Sequence, residues 1–174
     1  SPKKDQVITD DKYTISGWFL DPRGVAKIEV LIDDVVVGEA TYGLSRPDVM
    51  NVYPAYNNNN SGFSYVLDLK NVSQGTHSIK IRETGNDGKQ TTLPVKTFER
   101  KLKARGVLDS VKDNQTISGK YNVWGWILDG SGVAKVEVLV DGVVVGEATY
   151  GKPRADVYKV YPEYNNENSG FSFI

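Results

Sequence analysis

An internal repeat constrains this chain more than any other feature. Residues 17–66 recur as residues 125–174, shifted by 108 positions without insertion or deletion, and 35 of the 50 aligned residues are identical. A repeat of this length predicts one folded unit used twice, not a single domain of 174 residues. By the same offset, we expect copy two to continue for about 35 residues, the counterpart of residues 67–101.

The repeat also sets the expected domain boundaries. We predict a complete unit at residues 1–101, a linker at residues 102–106 and a second, C-terminally truncated unit at residues 107–174. The linker is charged and is expected to be exposed. Copy two would lack strands, and open strand edges invite pairing with another chain. We therefore expect self-association through the incomplete second unit, or else the 174 residues are a fragment of a longer chain.

Short apolar segments between turn residues predict an all-β fold. In residues 27–33, apolar and polar side chains alternate, which is typical of a half-buried strand. Asp33-Asp34 and Asp141-Gly142 lie between β-branched runs and predict hairpin turns, since Asp and Gly tolerate the positive φ of a type I′ turn. About seven strands per unit predict tandem immunoglobulin-like β-sandwiches. The predicted strands are residues 7–13, 15–20, 27–33, 35–42, 62–69, 77–83 and 91–98.

One segment has helical spacing. Val49, Val52 and Tyr53 recur at intervals of three and four residues, and Ser45 and Asp48 are candidate N-terminal caps. An asparagine-rich stretch follows at residues 56–62, and copy two repeats the whole pattern. We predict a short helix and an Asn-rich loop inserted between strands of each copy. Connections of this length are often functional or packed on themselves.

Composition argues against several classes of function. The net charge of −1 provides no basic surface for nucleic acid. No apolar run approaches the roughly 20 residues that a membrane helix needs, so membrane insertion is not expected. The absence of cysteine excludes disulfides, thiolate catalysis and Cys-ligated zinc. No phosphate-binding loop, dinucleotide fingerprint or zinc-protease motif is present, and no cofactor is expected.

Residues that could carry catalysis or bind a metal have simpler structural explanations. His77 is the only histidine, and no nucleophile motif accompanies it, so we interpret it as a half-buried strand residue. We expect the chain not to be an enzyme. Several Asp and Asn side chains could ligate calcium, but they lack the alternating spacing of a calcium loop. Their role in turns accounts for them, and no metal site is predicted.

A cluster of aromatic and polar residues around the Asn-rich loop is the best candidate for a ligand site. Tyrosine faces with amide and guanidinium groups can stack on a sugar ring and bond its hydroxyls. The alternative is that the helix and loop need a small core of their own. Trp18 and Trp126 are expected in the core, whereas Trp124 occurs in copy two only and receives no role. The candidate ligand-binding residues are Tyr42, Arg46, Tyr53, Tyr56 and Asn57 in copy one and Tyr150, Arg154, Tyr161, Tyr164 and Asn165 in copy two.

Several short motifs occur in both copies: Gly17-Trp18, Asp33, Gly43, Arg46, Asp48-Val49, Tyr53-Pro54 and Ser61-Gly62-Phe63, with their counterparts 108 residues later. These motifs resemble the bacterial Ig-like repeat of large extracellular proteins of Gram-positive bacteria, which often stands beside peptidoglycan-cleaving domains. This resemblance implies a secreted protein at the cell wall or cell surface, in which the chain acts as a non-catalytic spacer and helps to target the wall. The alternative is a carbohydrate-binding module whose Tyr/Asn loops hold wall polysaccharide or peptidoglycan. The resemblance implies no catalytic residue.

Overall fold

The computed structural model describes residues 6–174. These residues form two compact units, and the boundary lies between Lys101 and Leu102. In the described part of unit 1, the chain alternates strands and turns and has one short helix, followed by a 3₁₀ turn at Pro54–Tyr56. Its elements are β1 (Gln6–Ile8), β2 (Lys12–Trp18), β3 (Val25–Ile32), β4 (Val35–Glu39), β5 (Thr41–Leu44), α1 (Pro47–Val52), β6 (Gly62–Asp68), β7 (Gly75–Gly85), β8 (Gln90–Thr92) and β9 (Lys96–Arg100).

Two sheets form unit 1. The larger sheet has the strand order β1-β9-β7-β3-β4, with β8 added to β7, and the smaller sheet has the order β2-β6-β5. All pairs are antiparallel except β1 with β9. Buried side chains of both sheets meet in one core, so unit 1 is an Ig-like β-sandwich. This core contains Ile15, Phe63 and Leu67 from the smaller sheet, and Ile28, Val30, Ile79, Ile81 and Phe98 from the larger one.

The predicted hairpins are confirmed by their backbone angles. Asp33 and Asp34 have φ of +48° and +69°, and Asp141 and Gly142 have +50° and +79°. Both central residues of each turn therefore lie in the left-handed region that a type I′ turn requires. In unit 1, the turn brings β4 back beside β3, with Ile32 opposite Val35.

Three predicted strands are each divided in the structure. The segment 7–13 is interrupted after Ile8, so that its first part lies in β1 of the larger sheet and its last two residues lie in β2 of the smaller one. The segment 35–42 splits at Ala40 into β4, in the larger sheet, and β5, in the smaller one. The segment 91–98 is interrupted before β9 near Pro94, which has no N–H to donate to a ladder. The predicted caps of α1 are wrong, because Arg46 occupies the N-cap position without a side-chain cap bond.

Unit 2 repeats the first half of this arrangement. Its elements are β10 (Arg105–Leu108), β11 (Val123–Leu128), β12 (Glu137–Val140), β13 (Val143–Glu147), β14 (Thr149–Lys152), α2 (Ala155–Val160) and β15 (Gly170–Phe173). One sheet has the order β10-β11-β15-β14, and a hairpin of β12 and β13 forms the other. Two small clusters of buried residues replace the single core, around Trp126 and around Phe171.

The segment expected to be a linker is partly a strand. Arg105 and Gly106 lie in β10, where Arg105 pairs with Leu128 and Gly106 pairs with Ile127. Leu102 is buried, with 8% of its surface exposed. The segment was expected to be a linker because its charged residues show no alternation of apolar and polar side chains. In the structure, β10 pairs with its neighbour through backbone hydrogen bonds, which require no such alternation.

Candidate functional site

Tyr42 and Tyr150 are structural tyrosines. Each donates its hydroxyl to a backbone carbonyl, that of Phe19 at 3.0 Å and that of Ile127 at 2.8 Å. Each also accepts a bond from an asparagine amide, at 3.1 Å and 3.0 Å respectively. Burial raises the pKa of both phenols, so they remain protonated donors. Their polar groups are therefore engaged within the unit.

Arg46 and Arg154 are held by the aspartates two residues later. Arg46 bonds Asp48 through Nε at 2.8 Å and Nη2 at 2.7 Å, and Arg154 bonds Asp156 with the same two distances. The bond from Arg154 lowers the pKa of Asp156 to about 2. In unit 2 only, Nη1 of this arginine also bonds Asp109, at 2.8 Å.

Tyr53 and Tyr161 each stack on a tryptophan of the neighbouring strand. The ring centroids of Trp18 and Tyr53 are 5.5 Å apart at an interplanar angle of 40°, and those of Trp126 and Tyr161 are 5.6 Å apart at 36°. Such tilted pairs stabilise beyond the area that they bury. The same pair of rings is therefore built in both units.

Tyr56 and Tyr164 differ in their surroundings. Tyr56 is exposed, whereas Tyr164 is half-buried and meets Tyr161 edge-on at 6.4 Å. Tyr164 donates its hydroxyl to the carbonyl oxygen of Lys103 at 2.6 Å and accepts a bond from Nε of Arg105 at 2.9 Å. Arg105 also lies over both rings, 5.2 Å from the centroid of Tyr161 and 5.9 Å from that of Tyr164.

Asn57 and Asn165 have a conformational role. Their φ angles are +47° and +48°, and each ends a 3₁₀ turn by donating its backbone N–H to a proline carbonyl. Asparagine tolerates this left-handed geometry better than most residues. Both side chains are on exposed residues, but their position is explained by the turn.

The predicted site residues thus divide into two groups. Tyr42 and Arg46, like their counterparts, complete internal hydrogen bonds of the helix and loop region. Tyr53 and Tyr56 instead present exposed rings in unit 1, 43% exposed in each case. Trp18, which was expected in the core, joins them and is 38% exposed, while Trp126 is 9% exposed as predicted.

Three contributors were missed by reasoning from the sequence. Asn58 and Asn166 hold the phenols of Tyr42 and Tyr150, and their identity in the two copies was a signal that could have found them. Arg105 covers the tyrosines of unit 2, but copy one contains no counterpart within the sequence, so the repeat gave no signal for it.

His77 lies beside a serine and an aspartate in unit 1. Its Nδ1 is 2.6 Å from Oδ2 of Asp33, and its Nε2 is 3.5 Å from Oγ of Ser73 but 2.8 Å from the carbonyl oxygen of Ser73. A carbonyl only accepts, so Nε2 carries a proton there and cannot take one from the serine hydroxyl. The contact with His77 lowers the pKa of Asp33. These hydrogen-bonding contacts tie two turns together beside a cavity of about 510 Å³.

The aspartates that resembled calcium ligands are paired with cations of the chain. Asp21 bonds Arg23, Asp34 bonds Lys80 and Asp48 bonds Arg46. Among residues 6–174, no group of three or more His, Asp or Glu side chains is arranged to hold a metal ion. Within the same residues, no helix has the length and apolar character needed to cross a membrane.

The chain is similar to a known domain family in part of its length and to solved structures at low identity. Residues 1–81 match the family model described as the bacterial Ig domain. The fibronectin(III)-like modules of CbhA from Clostridium thermocellum are 16% identical over 99% of this chain and 74% of that chain, with a TM-score of 0.42. CopC from Methylosinus trichosporium OB3b is 15% identical over 57% of this chain and 86% of that chain, with a TM-score of 0.31. None of the curated proteins matches the sequence.

Proposed function

We propose that the chain is a non-catalytic spacer of a secreted, cell-wall-directed protein. The proposal rests on one observation: polar groups of the helix and the Asn-rich loop already form hydrogen bonds within their own unit. The hydroxyls of Tyr42 and Tyr150 and the guanidinium groups of Arg46 and Arg154 bond within their own units. A sugar would have to break these bonds to gain its own, and the exchange would yield little net free energy. The repeated domain then acts as a spacer between other parts of the protein.

The bacterial Ig-like character of unit 1 supports the same proposal. Domains of this architecture serve many functions, so the wall-directed context comes from the resemblance of the repeated motifs to extracellular Gram-positive proteins. In that context, the chain would hold a neighbouring catalytic domain, such as a peptidoglycan hydrolase, away from its anchor. His77 supports a non-catalytic role, because its ring nitrogens both face oxygen acceptors.

A second candidate is glycan binding, and one observation favours it. Trp18, Tyr53 and Tyr56 place three exposed aromatic rings in unit 1 around the same loop. Aromatic faces of this kind can stack on sugar rings. In unit 2, the equivalent rings are less exposed, so this function would belong to unit 1 alone.

Sedimentation with isolated Gram-positive cell walls separates the two candidates. A spacer is expected to remain in the supernatant, both as the unaltered chain and with Trp18→Ala, Tyr56→Ala or Trp124→Ala. Retention that is lost on Trp18→Ala and on Tyr56→Ala, but kept in the control Trp124→Ala, would establish glycan binding and overturn the spacer proposal. Trp124 is a suitable control because it is 43% exposed and outside the candidate site.

A further inference from the structure

The cavity beside His77 lies wholly within unit 1. Its volume is about 510 Å³, within the range of pockets that take small molecules. The residues that line it all lie between Ile32 and His77 in the sequence. They belong to strands β3, β4, β6 and β7 and to the β3–β4 and β6–β7 connections. The cavity is therefore formed by neighbouring elements of one sandwich.

One part of the cavity lining is apolar. Ile32 and Leu67 are 6% and 2% exposed, and both belong to the core of the sandwich. Val72 packs against the same core. An aliphatic chain placed on these side chains would remove apolar surface from water, which is favourable. This part of the cavity therefore suits a short alkyl chain.

Several hydrogen-bond donors around the cavity already have acceptors in unit 1. Nε2 of His77 faces the carbonyl oxygen of Ser73 at 2.8 Å, and Nδ1 faces Oδ2 of Asp33 at 2.6 Å. The hydroxyl of Tyr65 donates to the carbonyl oxygen of Val37 at 2.8 Å. Among the described residues that line the cavity, none is lysine or arginine. An anionic ligand would therefore find few donors and would lie near a carboxylate.

Asp68 is a carboxylate of the cavity lining that lacks a cation. Its Oδ1 accepts the backbone N–H of Lys70 at 3.0 Å. Lys12 lies opposite Asp68 across the β2–β6 ladder, yet in the part of the chain that the structure describes the two side chains form no ion pair. Asp33, in contrast, is paired with His77. An uncompensated carboxylate at a cavity attracts a cation and accepts its N–H donors.

Two neutral acceptors follow Asp68 in the β6–β7 connection. Asn71 and Ser73 both line the cavity, and both are exposed. The side-chain carbonyl of Asn71 and the hydroxyl oxygen of Ser73 can each accept an N–H bond. A primary ammonium group has three N–H donors, which a carboxylate and two neutral acceptors can pair. The polar part of the lining therefore suits an ammonium group.

We propose that this cavity binds a primary alkylammonium ion of the lysine side-chain type. The alkyl chain lies against Ile32, Leu67 and Val72. The ammonium group donates to the carboxylate of Asp68, with the side chains of the β6–β7 connection as further acceptors. The site uses none of the aromatic residues of the candidate glycan site. It is therefore independent of both the spacer role and the glycan alternative.

Titration of the intact, isotope-labelled chain with n-pentylamine at constant ionic strength tests the proposal. At pH 7 this probe is an ammonium ion, and n-pentanol is its uncharged counterpart of the same length. His77 is the only histidine of the chain, so its ring C–H resonances report on the cavity without overlap. We expect saturable NMR shifts of His77 and of the methyl groups of Leu67 and Val72.

The comparison of the two probes measures the contribution of the charge. The affinity for n-pentanol should be about tenfold lower, because a hydrogen bond to a charged group contributes more than one between neutral groups. Equal affinity of the amine and the alcohol would mean that the cavity binds only the alkyl chain, and would overturn the proposal. The absence of saturable shifts with n-pentylamine would also overturn it.

Asp68→Asn provides the matching comparison in the protein. Asparagine keeps an oxygen for the N–H of Lys70 but removes the negative charge, so the affinity for n-pentylamine should fall about tenfold. The affinity for n-pentanol should not change. Asp113→Asn, at an exposed residue outside the cavity, is the control and should leave both affinities unchanged. Undiminished binding of n-pentylamine to Asp68→Asn, or an equal loss for both probes, would contradict the proposal.

A third probe distinguishes two sources of the same ammonium group. Nα-acetyl-lysine methylamide carries this group on an alkyl chain that ends in a peptide backbone. Tighter binding of this probe than of n-pentylamine would assign the cavity to lysine side chains of a peptide, and weaker binding would assign it to free amines. Either result supports an alkylammonium site.

Discussion

Glu83 is a carboxylate buried in unit 1 without a compensating hydrogen bond. It is fully buried, and neither of its oxygens has a hydrogen-bond partner among the described residues. Burial raises its pKa above the usual 4.5, and the negative charge of Asp21 acts in the same direction. An acid with a raised folded-state pKa loses stability as pH rises from its unfolded pKa through its folded pKa. The ionised carboxylate of Glu83 therefore destabilises unit 1 at neutral pH.

Glu83→Gln should accordingly stabilise unit 1 at pH 7. The amide carries no charge, so the variant should gain about 1–2 kcal/mol in the free energy of unfolding, and the gain should vanish below the unfolded pKa. Urea unfolding at pH 7 and at pH 4 measures both values. The exposed Glu39→Gln is the control, with little expected change. An equal or lower stability of Glu83→Gln at pH 7 would contradict this account.

Asp33 should make the stability of unit 1 depend on pH in the direction opposite to Glu83. The hydrogen bond from His77 is the largest cause that holds its pKa below 3.8, and the backbone N–H of Ser78 contributes. A carboxylate with a lowered folded-state pKa adds stability above its unfolded pKa, and this is lost as pH falls through the folded pKa. Asp33 is half exposed, so the contribution is less than about 1 kcal/mol.

Asp33→Asn should reduce the loss of stability between pH 5 and pH 2 and lower the stability at pH 7. Urea midpoints across this range measure the effect. Asp141→Asn is the matched control, because Asp141 occupies the same turn position in copy two, and the only histidine of the chain is His77. An equal change in acid dependence for the two variants would show that His77 is not the cause.

At the scale of secondary structure, Gly38 shows how a strand accommodates its neighbour. A Cβ at this position would lie 2.5 Å from the hydroxyl oxygen of Tyr65, which donates to the carbonyl of Val37 at 2.8 Å. Gly38→Val should destabilise unit 1 by about 1–3 kcal/mol, although valine favours strands, because the tyrosine ring must move. In the Tyr65→Ala background, the same substitution should cost much less. A double-mutant cycle in urea measures this coupling, and strict additivity would contradict it.

The sequence predicted these elements where the signal was local. The Asp-Asp and Asp-Gly pairs predicted their hairpins correctly, because positive φ angles at two adjacent residues are enough to form a type I′ turn. The division of residues 35–42 between two sheets was missed because no turn residue marks Ala40. The exposure of Trp18 was missed because the sequence around it matches that around Trp126, and the difference lies in β10, far along the chain.

At the scale of the whole molecule, the two copies differ in how well the first strand of the repeated hairpin is covered. Leu31 and Ile32 are each 6% exposed, because β7 pairs with β3. Their counterparts Leu139 and Val140 are 54% and 55% exposed. In the described residues, β12 pairs with β13 alone. Exposed apolar residues beside an unpaired edge favour association with another chain.

We expect the self-association predicted from the sequence to involve this strand. Light scattering should show a mass above 19.2 kDa that rises with protein concentration. Leu139→Lys should shift the protein toward the monomer, because the charge would have to be buried in the contact. Val143→Lys is the control, since Val143 is 66% exposed in the same hairpin but at its turn. A monomer at all concentrations would show that strand β12 does not associate.

Residues added after Ile174 should cover strand β12 from within the same chain. We expect that residues with the sequence of 67–101, placed after Ile174, would pair with β12 as β7 pairs with β3 and would bury Leu139 and Val140. The burial of each side chain should contribute about 1–2 kcal/mol to the stability of unit 2. Unit 2 should therefore unfold at a higher urea concentration. The fluorescence of Trp124 and Trp126, in a Trp18→Phe background, reports this unfolding. The same extension carrying Ile79→Lys and Ile81→Lys at the corresponding positions is the control, because it cannot present its apolar face. Equal midpoints for the two extensions would mean that the exposed face of unit 2 is not a site for a β7-like strand.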